Sequence, residues 1–122
     1  MKLYIFIFFT TIIYSICYDV YDFPLDNNTI ILTDSTYEKA IKQFKHLMIF
    51  FYAPWCPHCQ NFEPEYQSAA DDLKKENIYL AKIDGSTDKK ASQKYKVSGY
   101  PSILFSLKKN QSNLKVEELK KN

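Results

Sequence analysis

The chain has 122 residues, a formal net charge of +2 at pH 7 and 46% apolar residues. That length carries one domain and excludes elaborate multidomain machinery. Every basic residue is a lysine, and apart from Lys2 they are scattered from Lys39 to Lys121; with no concentrated basic face to neutralise a phosphate backbone, nucleic-acid binding is not expected.

Apolar residues crowd at the start, where 13 of the first 17 positions are apolar. Lys2 gives a positive start, and Leu3 to Ile13 is an apolar run broken only by Thr10 and Thr11. This has the length of a secretory h-region and is short for a membrane span, which needs about 20 apolar residues. The small side chains of Ser15 and Cys17 precede a candidate cleavage point before Tyr18. The alternatives are an uncleaved anchor and lipidation at Cys17, the latter disfavoured by the bulk of Ile16. The expected organisation is a signal peptide over 1–17, an N-terminal extension over 18–29 and one domain over 30–122. The destination is the endoplasmic reticulum lumen or the exterior, with no membrane attachment after cleavage. The ending Leu119-Lys120-Lys121-Asn122 is not a retrieval signal of the K-D-E-L type. Asn27-Asn28-Thr29 and Asn110-Gln111-Ser112 are candidate glycosylation triplets on such a route.

The body of the chain alternates strand and helix patterns. Ile30 to Thr33 reads as a short strand. Ser35-Thr36-Tyr37-Glu38 has the form of a capping box, and Tyr37, Ala40, Ile41 and Phe44 then recur on one helical face, which predicts a helix of about ten residues. Leu47 to Ala53 is apolar throughout, as in a central strand covered on both faces. Pro57 suits a first helical turn, and Phe62, Tyr66, Ala69, Ala70 and Leu73 carry an apolar stripe to about Glu76, with Pro64 expected to kink it. Ile78 to Asp84 is a further strand interrupted by Lys82. Ser86 or Thr87 is expected to cap a weaker helix holding Ala91 and Tyr95, and Ile103 to Leu107 is a strand after Tyr100-Pro101. The sum is an α/β sandwich of largely parallel strands, with chemistry expected at the C-terminal strand ends.

Cleavage before Tyr18 leaves two cysteines, Cys56 and Cys59, spaced Cys-x-x-Cys at the start of the helix that follows the central strand. A bridge between them closes almost no loop and constrains the unfolded chain little, so it is poorly suited to a structural staple. Unpaired amide N–H groups and the positive end of the helix dipole favour the Cys56 thiolate, and His58, when protonated, adds to this. Cys56 therefore reads as the nucleophile and Cys59, one turn further in, as the resolving thiol. If these effects stabilise the reduced form by about 3–4 kcal/mol, the couple is on the order of 60–90 mV more oxidising than an unperturbed pair. Two other readings stay open: half of a structural zinc site, with His58 or His46 as further ligands, and an inert disulfide. Lys82 reads as a strand-end lysine snorkelling to water. Phe50, Phe51, Tyr52 and Phe105 read as core, and His46 as a solvated residue at a strand start.

Phe51-Tyr52-Ala53-Pro54-Trp55-Cys56-Pro57-His58-Cys59, with Pro64-Glu65-Tyr66, Leu80-Ala81-Lys82-Ile83-Asp84 and Val97-Ser98-Gly99-Tyr100-Pro101, resembles a catalytic domain of the protein disulfide isomerase family over about Ile30 to Leu107. The resemblance implies a thioredoxin-like fold, a central mixed sheet flanked by helices. It also implies a cis Tyr100-Pro101 bond facing the cysteines and a shallow apolar substrate groove around Trp55, Tyr100 and Pro101. It implies thiol–disulfide exchange without cofactor or metal, on unfolded or partly folded client proteins held as mixed disulfides, with an upstream thiol oxidase as the electron acceptor.

Three departures qualify it. Pro57 stands where the family usually has Gly, giving the Cys-Pro-His-Cys sequence of an oxidising bacterial periplasmic thiol oxidase; Pro57 and His58 are thus read as tuning the couple toward oxidation. The family's buried glutamate, proton acceptor for the second cysteine and partner of the lysine matching Lys82, aligns with Phe50, so the proton relay is expected to be missing. The family's mobile arginine has no counterpart, and its last strand and helix are hard to find in Asn113 to Asn122, where Leu114-Lys115-Val116 is a short strand or an amphipathic turn. The expected function is a thiol–disulfide oxidoreductase assisting oxidative folding in the secretory pathway. The alternative is a peptide-binding escort module with weak redox turnover.

Overall fold

The computed structural model describes residues 2–17, 22–108 and 114–119. Helix α1 (Lys2–Cys17) is followed by β1 (Leu25–Asp26), β2 (Thr29–Leu32), α2 (Tyr37–Gln43), β3 (His46–Tyr52), α3 (Pro57–Lys74), β4 (Tyr79–Asp84), α4 (Lys89–Lys94), β5 (Ser102–Lys108) and β6 (Leu114–Leu119). The strands form one mixed sheet in the order β1-β2-β4-β3-β5-β6. The β2, β4 and β3 strands are parallel, while β1, β5 and β6 run antiparallel to their neighbours.

Period-two alternation sorts β3 between two cores, as a strand covered on both faces requires. Leu47, Ile49 and Phe51 pack with Tyr37, Ala40, Ile41 and Phe44 of the α2 region and with Ala91 of α4. Phe50 faces the other way, under α3, with Cys59, Tyr66, Ala70 and Leu80. Both faces of β3 are therefore dry, and the end of the strand delivers Ala53 to Cys56 into a fixed frame.

The direction of β5 follows from the length of α4. Six helical residues rise about 9 Å, whereas a strand of six residues spans about 20 Å. So short a helix does not carry the chain back along β4, and β5 is entered from the end at which β3 and β4 finish. Ser102 accordingly pairs with Phe51 near the end of β3, which sets Tyr100-Pro101 beside the start of α3. The one departure from a parallel sheet in this region thus places the proline loop against the cysteine pair.

Several local expectations are corrected by tertiary partners. Helix α2 has seven residues, and Thr36, its N-cap, makes no side-chain cap bond. The Glu38 carboxylate of the expected capping box accepts instead from Lys94 Nζ at 2.7 Å, because a nearby cation competes with a backbone N–H. Neither Ser86 nor Thr87 caps α4. Asp34, from the loop after β2, accepts from Lys90 N at 3.1 Å and Ala91 N at 2.9 Å, while its own N–H donates to Asp88 Oδ1 at 2.7 Å. Helix α3 continues through Pro64 and closes on Asn77 in the left-handed region at φ 59°. Ile78 N then donates to Leu73 O at 3.0 Å and Asn77 N to Lys74 O at 3.1 Å, the paired bonds of a Schellman motif.

The last strand, hard to find by sequence pattern, is β6, paired along β5 from Ile103↔Leu119 to Lys108↔Leu114. Residues 22–29, expected as an extension, are built into the domain: β1 and β2 form a hairpin, with Asn27 and Asn28 at φ 45° and 63° in its turn, and Phe23 is buried in the core. Asn27 stands exposed in that turn, while Thr29 is buried. The Asn110 triplet lies outside the described residues, as does Tyr18 of the cleavage point. Leu3 to Phe9 of α1 are exposed, and among the described residues no helix is long and apolar enough to cross a membrane.

Candidate active site

Cys56 is the N-cap residue of α3, in extended conformation at φ −87° and ψ 111°, with Pro57 in the first turn. Proline lacks an N–H and presets a helical φ, so this position suits it and fixes the entry of the helix. The helix start then turns the Cys59 N–H toward Cys56 Sγ at 3.3 Å. The loop is tied down by Cys56 N donating to Ala53 O at 3.1 Å and by Gln60 Nε2 donating to Pro54 O at 2.8 Å.

Across from the helix start, the Tyr100-Pro101 bond is cis, as the resemblance implies. The Cys56 thiol donates to the Tyr100 carbonyl at 3.7 Å. Trp55 is 70% exposed and meets the Tyr100 ring edge-on, centroids 6.2 Å apart, and Pro101 is exposed beside them. Trp55, Tyr100 and Pro101 therefore gather around Cys56, as expected. His58 is exposed on the first turn of α3.

Both cysteines carry free thiols and both are buried, so burial alone does not separate them; their surroundings do. Cys56 sits at the helix start with a backbone N–H on its sulfur. Cys59 packs among Phe50, Ala53, Tyr66, Ala70 and Leu80. Burial, and then its hydrogen bond with Cys56, push the Cys59 thiol up to about 11 from an ordinary 9.0. This asymmetry sets a sulfur with a backbone donor apart from one in apolar surroundings.

Lys82 departs from its sequence reading. It is buried at 7% exposure rather than snorkelling to water. Its Nζ donates to Asp26 Oδ2 at 2.5 Å and to Glu63 Oε1, and lies 5.7 Å from the Tyr52 ring centroid. Burial works against the ammonium, but the hydrogen bonds to Asp26 and Glu63 outweigh it and hold the Lys82 pKa above the lysine range. Phe50, opposite Lys82 in the β3–β4 register, is fully buried against Tyr52, Phe62 and Tyr66. The lysine thus finds carboxylates on β1 and α3 rather than on β3. Sequence reasoning missed both Asp26 and Glu63. The available signal was Glu63 itself, an acid between Phe62 and Tyr66 four residues after Cys59, on an otherwise apolar helical stripe. Gln67 Nε2 donates to the same Asp26 Oδ2 at 3.1 Å, and Asn28 Nδ2 donates to Asp71 Oδ1, which fastens the β1–β2 hairpin to α3.

His46, at the start of β3, is partly exposed, with its Nδ1 atom buried and unpartnered. Among the described residues no three of His, Cys, Asp and Glu gather as a metal-binding group.

Residues 28–122 match the Thioredoxin family. The chain is 43% identical over 82 residues to protein disulfide-isomerase of Oryctolagus cuniculus, covering 66% of this chain and 16% of that protein. It is 42% identical over 80 residues to protein disulfide-isomerase 1 of Caenorhabditis elegans, covering 64% and 16%. The chain therefore spans about a sixth of the length of these relatives. Among solved structures it resembles the first thioredoxin domain of mouse protein disulfide-isomerase A4, with 34% identity and a TM-score of 0.69 over 80% of this chain and 68% of that one. The fourth thioredoxin domain of ERdj5 gives 28% identity and a TM-score of 0.69 over 77% and 83%. With the strand order, the cis proline and the cysteine pair in place, the chain belongs to the thioredoxin family, and its relatives include the thioredoxin domains of protein disulfide isomerases.

Proposed function

We propose that this chain is a thiol–disulfide oxidoreductase that exchanges disulfides with unfolded or partly folded client proteins in the secretory pathway. The observation that carries the reading is Cys56 at the N-cap of α3, with the Cys59 N–H at 3.3 Å on its sulfur and the Tyr100 carbonyl at 3.7 Å on the opposite side. A backbone donor aimed at sulfur stabilises negative charge there, the charge that develops as a thiolate attacks or leaves.

In the oxidising direction a client thiolate attacks Cys56 Sγ of the Cys56–Cys59 disulfide. The intramolecular S–S bond breaks, its electron pair passes to Cys59, which takes up a proton, and a client–Cys56 mixed disulfide forms. A second client thiolate attacks the client sulfur and expels Cys56, leaving an oxidised client and a reduced pair. An upstream thiol oxidase then accepts the two electrons. Trp55, Tyr100 and Pro101 offer the client an apolar surface beside the reacting sulfur, and Pro57 and His58 tune the couple toward oxidation. Neither a metal nor an organic cofactor takes part.

The apolar segment over 1–17 supports export, with cleavage before Tyr18, to the endoplasmic reticulum lumen or the exterior. A 16-residue helix is about 24 Å long, against an apolar bilayer thickness of about 30 Å. A mature N-terminus found upstream of Ser15 would count against this route.

The test of the activity is incubation of the oxidised protein with a reduced, unfolded client. Client disulfides are expected to form stoichiometrically with loss of the Cys56–Cys59 bond. A client that gains no disulfide over the uncatalysed control overturns the reading and leaves the escort module as the function.

A further inference from the structure

Resting on that redox reading, we propose that Glu63, held in place by Lys82 and Asp26, is the proton acceptor that lets Cys59 close the disulfide with Cys56.

The need for an acceptor is local. Cys59 is 2% exposed and lies among Phe50, Ala53, Tyr66, Ala70 and Leu80, yet only its thiolate attacks a mixed disulfide. Burial pushes its ionisation well above neutrality. The Tyr66 hydroxyl is already committed, 2.9 Å from both Met48 O and Ala81 O.

Glu63 stands four residues beyond Cys59 on α3, and residues so spaced are neighbours on one helical face with β-carbons about 5–6 Å apart, the range in which a general base acts directly or through one water. Cys59, Glu63, Tyr66 and Ala70 follow one another at steps of four, three and four residues, one face of the helix. Lys82, on the α3-facing side of β4, draws the Glu63 carboxylate inward. Asp26 Oδ2 anchors the same ammonium at 2.5 Å and is itself fixed by Gln67 of α3. The Glu63 side chain is 31% exposed, so a proton received inside is released to solvent. The remaining titratable groups facing this cluster are Tyr52 of β3, under Lys82, and Asp84 of β4, which acts on Tyr52. Burial drives Tyr52 toward its neutral form.

The step balances with glutathione disulfide as the oxidant. Reduced Cys56 displaces one glutathione thiolate and forms a Cys56–glutathione mixed disulfide. Cys59 passes its proton to Glu63, attacks Cys56 Sγ and expels the second glutathione thiolate, and Glu63 then releases the proton to solvent. Two protein thiols become one disulfide and glutathione disulfide becomes two thiols.

The experiment mixes reduced full-length protein with oxidised glutathione, quenches with acid and follows the mixed disulfide and its closure by mass spectrometry from pH 6 to 10. For Glu63→Gln the closure rate at pH 7 is expected to fall about tenfold or more, the low end of general base catalysis or below it, while formation of the mixed disulfide is unchanged. The deficit is expected to shrink toward pH 10 as Cys59 ionises without help. Glu63→Asp, with its carboxylate drawn back by one methylene, is expected between the two, and Asp72→Asn, the same charge change on the exposed side of α3, is expected to match wild type. Closure of Glu63→Gln at the wild-type rate, or a deficit of equal size at every pH, overturns the proposal. If Glu63→Gln does not fold, the same comparison on Glu63→Asp decides, and wild-type closure there overturns it. A wild-type protein that forms no mixed disulfide at all overturns the redox reading and the role of Glu63 together.

Discussion

The ring of Tyr100 lies over Gly85 so closely that a β-carbon there would stand 2.5 Å from Tyr100 Cε1 and 2.7 Å from its hydroxyl oxygen. Gly85 directly follows β4, opening the turn there, and donates its N–H to Tyr52 O at 2.9 Å, so its backbone has little room to retreat. The missing side chain of one residue thereby sets the position of the carbonyl that faces Cys56. Gly85→Ala is expected to displace Tyr100, destabilise the fold by about 1–3 kcal/mol, and slow reaction with an unfolded client more than reaction with glutathione. Thermal denaturation and the two rate measurements check this.

The two cysteines are expected to behave differently when removed singly. Cys59→Ala leaves Cys56 able to form a mixed disulfide with no partner to resolve it, so client adducts accumulate on non-reducing gels. Of the pair, Cys56→Ala leaves the buried Cys59 thiol of raised pKa, and no adducts through it are expected.

Alkaline pH is expected to weaken the reduced protein. The folded state raises the Cys59 pKa to about 11 from 9.0, so the protonated thiol is favoured in the fold. That contribution is fully present below about pH 9 and is lost as pH rises toward 11. At 1.36 kcal/mol per unit it amounts to about 3 kcal/mol. Denaturant midpoints of the reduced wild type are expected to fall over this window more steeply than those of Cys59→Ala, and iodoacetamide labelling of Cys59 should rise over the same range.

Lys82 links three elements, and its removal leaves Asp26 and Glu63 facing each other without a cation. Because those side chains are 42% and 31% exposed, the cost of Lys82→Met is expected at about 1–3 kcal/mol, below that of breaking a fully buried pair. The raised lysine pKa means that the wild-type advantage is complete below pH 10.5 and declines above it. Urea denaturation of both proteins at pH 7 and pH 11 checks the sign.

Tyr66 joins β3 and β4 through one hydroxyl lying 2.9 Å from the Met48 and Ala81 carbonyls. Tyr66→Phe keeps the ring among Phe50 and Phe62 and deletes only that contact, so a loss of about 1–2 kcal/mol is expected, with the redox properties of the pair unchanged.

What was legible in the sequence is what local rules govern. The strand over Leu47 to Ala53, the helix opening at Pro57 and the placement of Cys56 and Cys59 on it follow from hydrophobic period and proline geometry, and the structure has them within a residue or two. The failures share another cause. Asp34 caps a helix 56 residues away, Glu38 turns to Lys94, and Lys82 meets Asp26 and Glu63 at separations of 56 and 19 residues. Each depends on which strands are neighbours in a sheet ordered β1-β2-β4-β3-β5-β6, and local pattern does not encode that order. Phe50 shows the same limit: its place opposite Lys82 is legible, whereas the meeting of Lys82 with Glu63 from another element is not.

The equilibrium of the Cys56–Cys59 pair with glutathione tests the central claim most directly, with free thiols trapped across a series of redox buffers. A redox-active pair is expected to pass from dithiol to disulfide within the range that glutathione buffers set, at a potential more oxidising than that of an unperturbed pair. A disulfide that survives strongly reducing buffer, or a dithiol that never closes, would contradict the account.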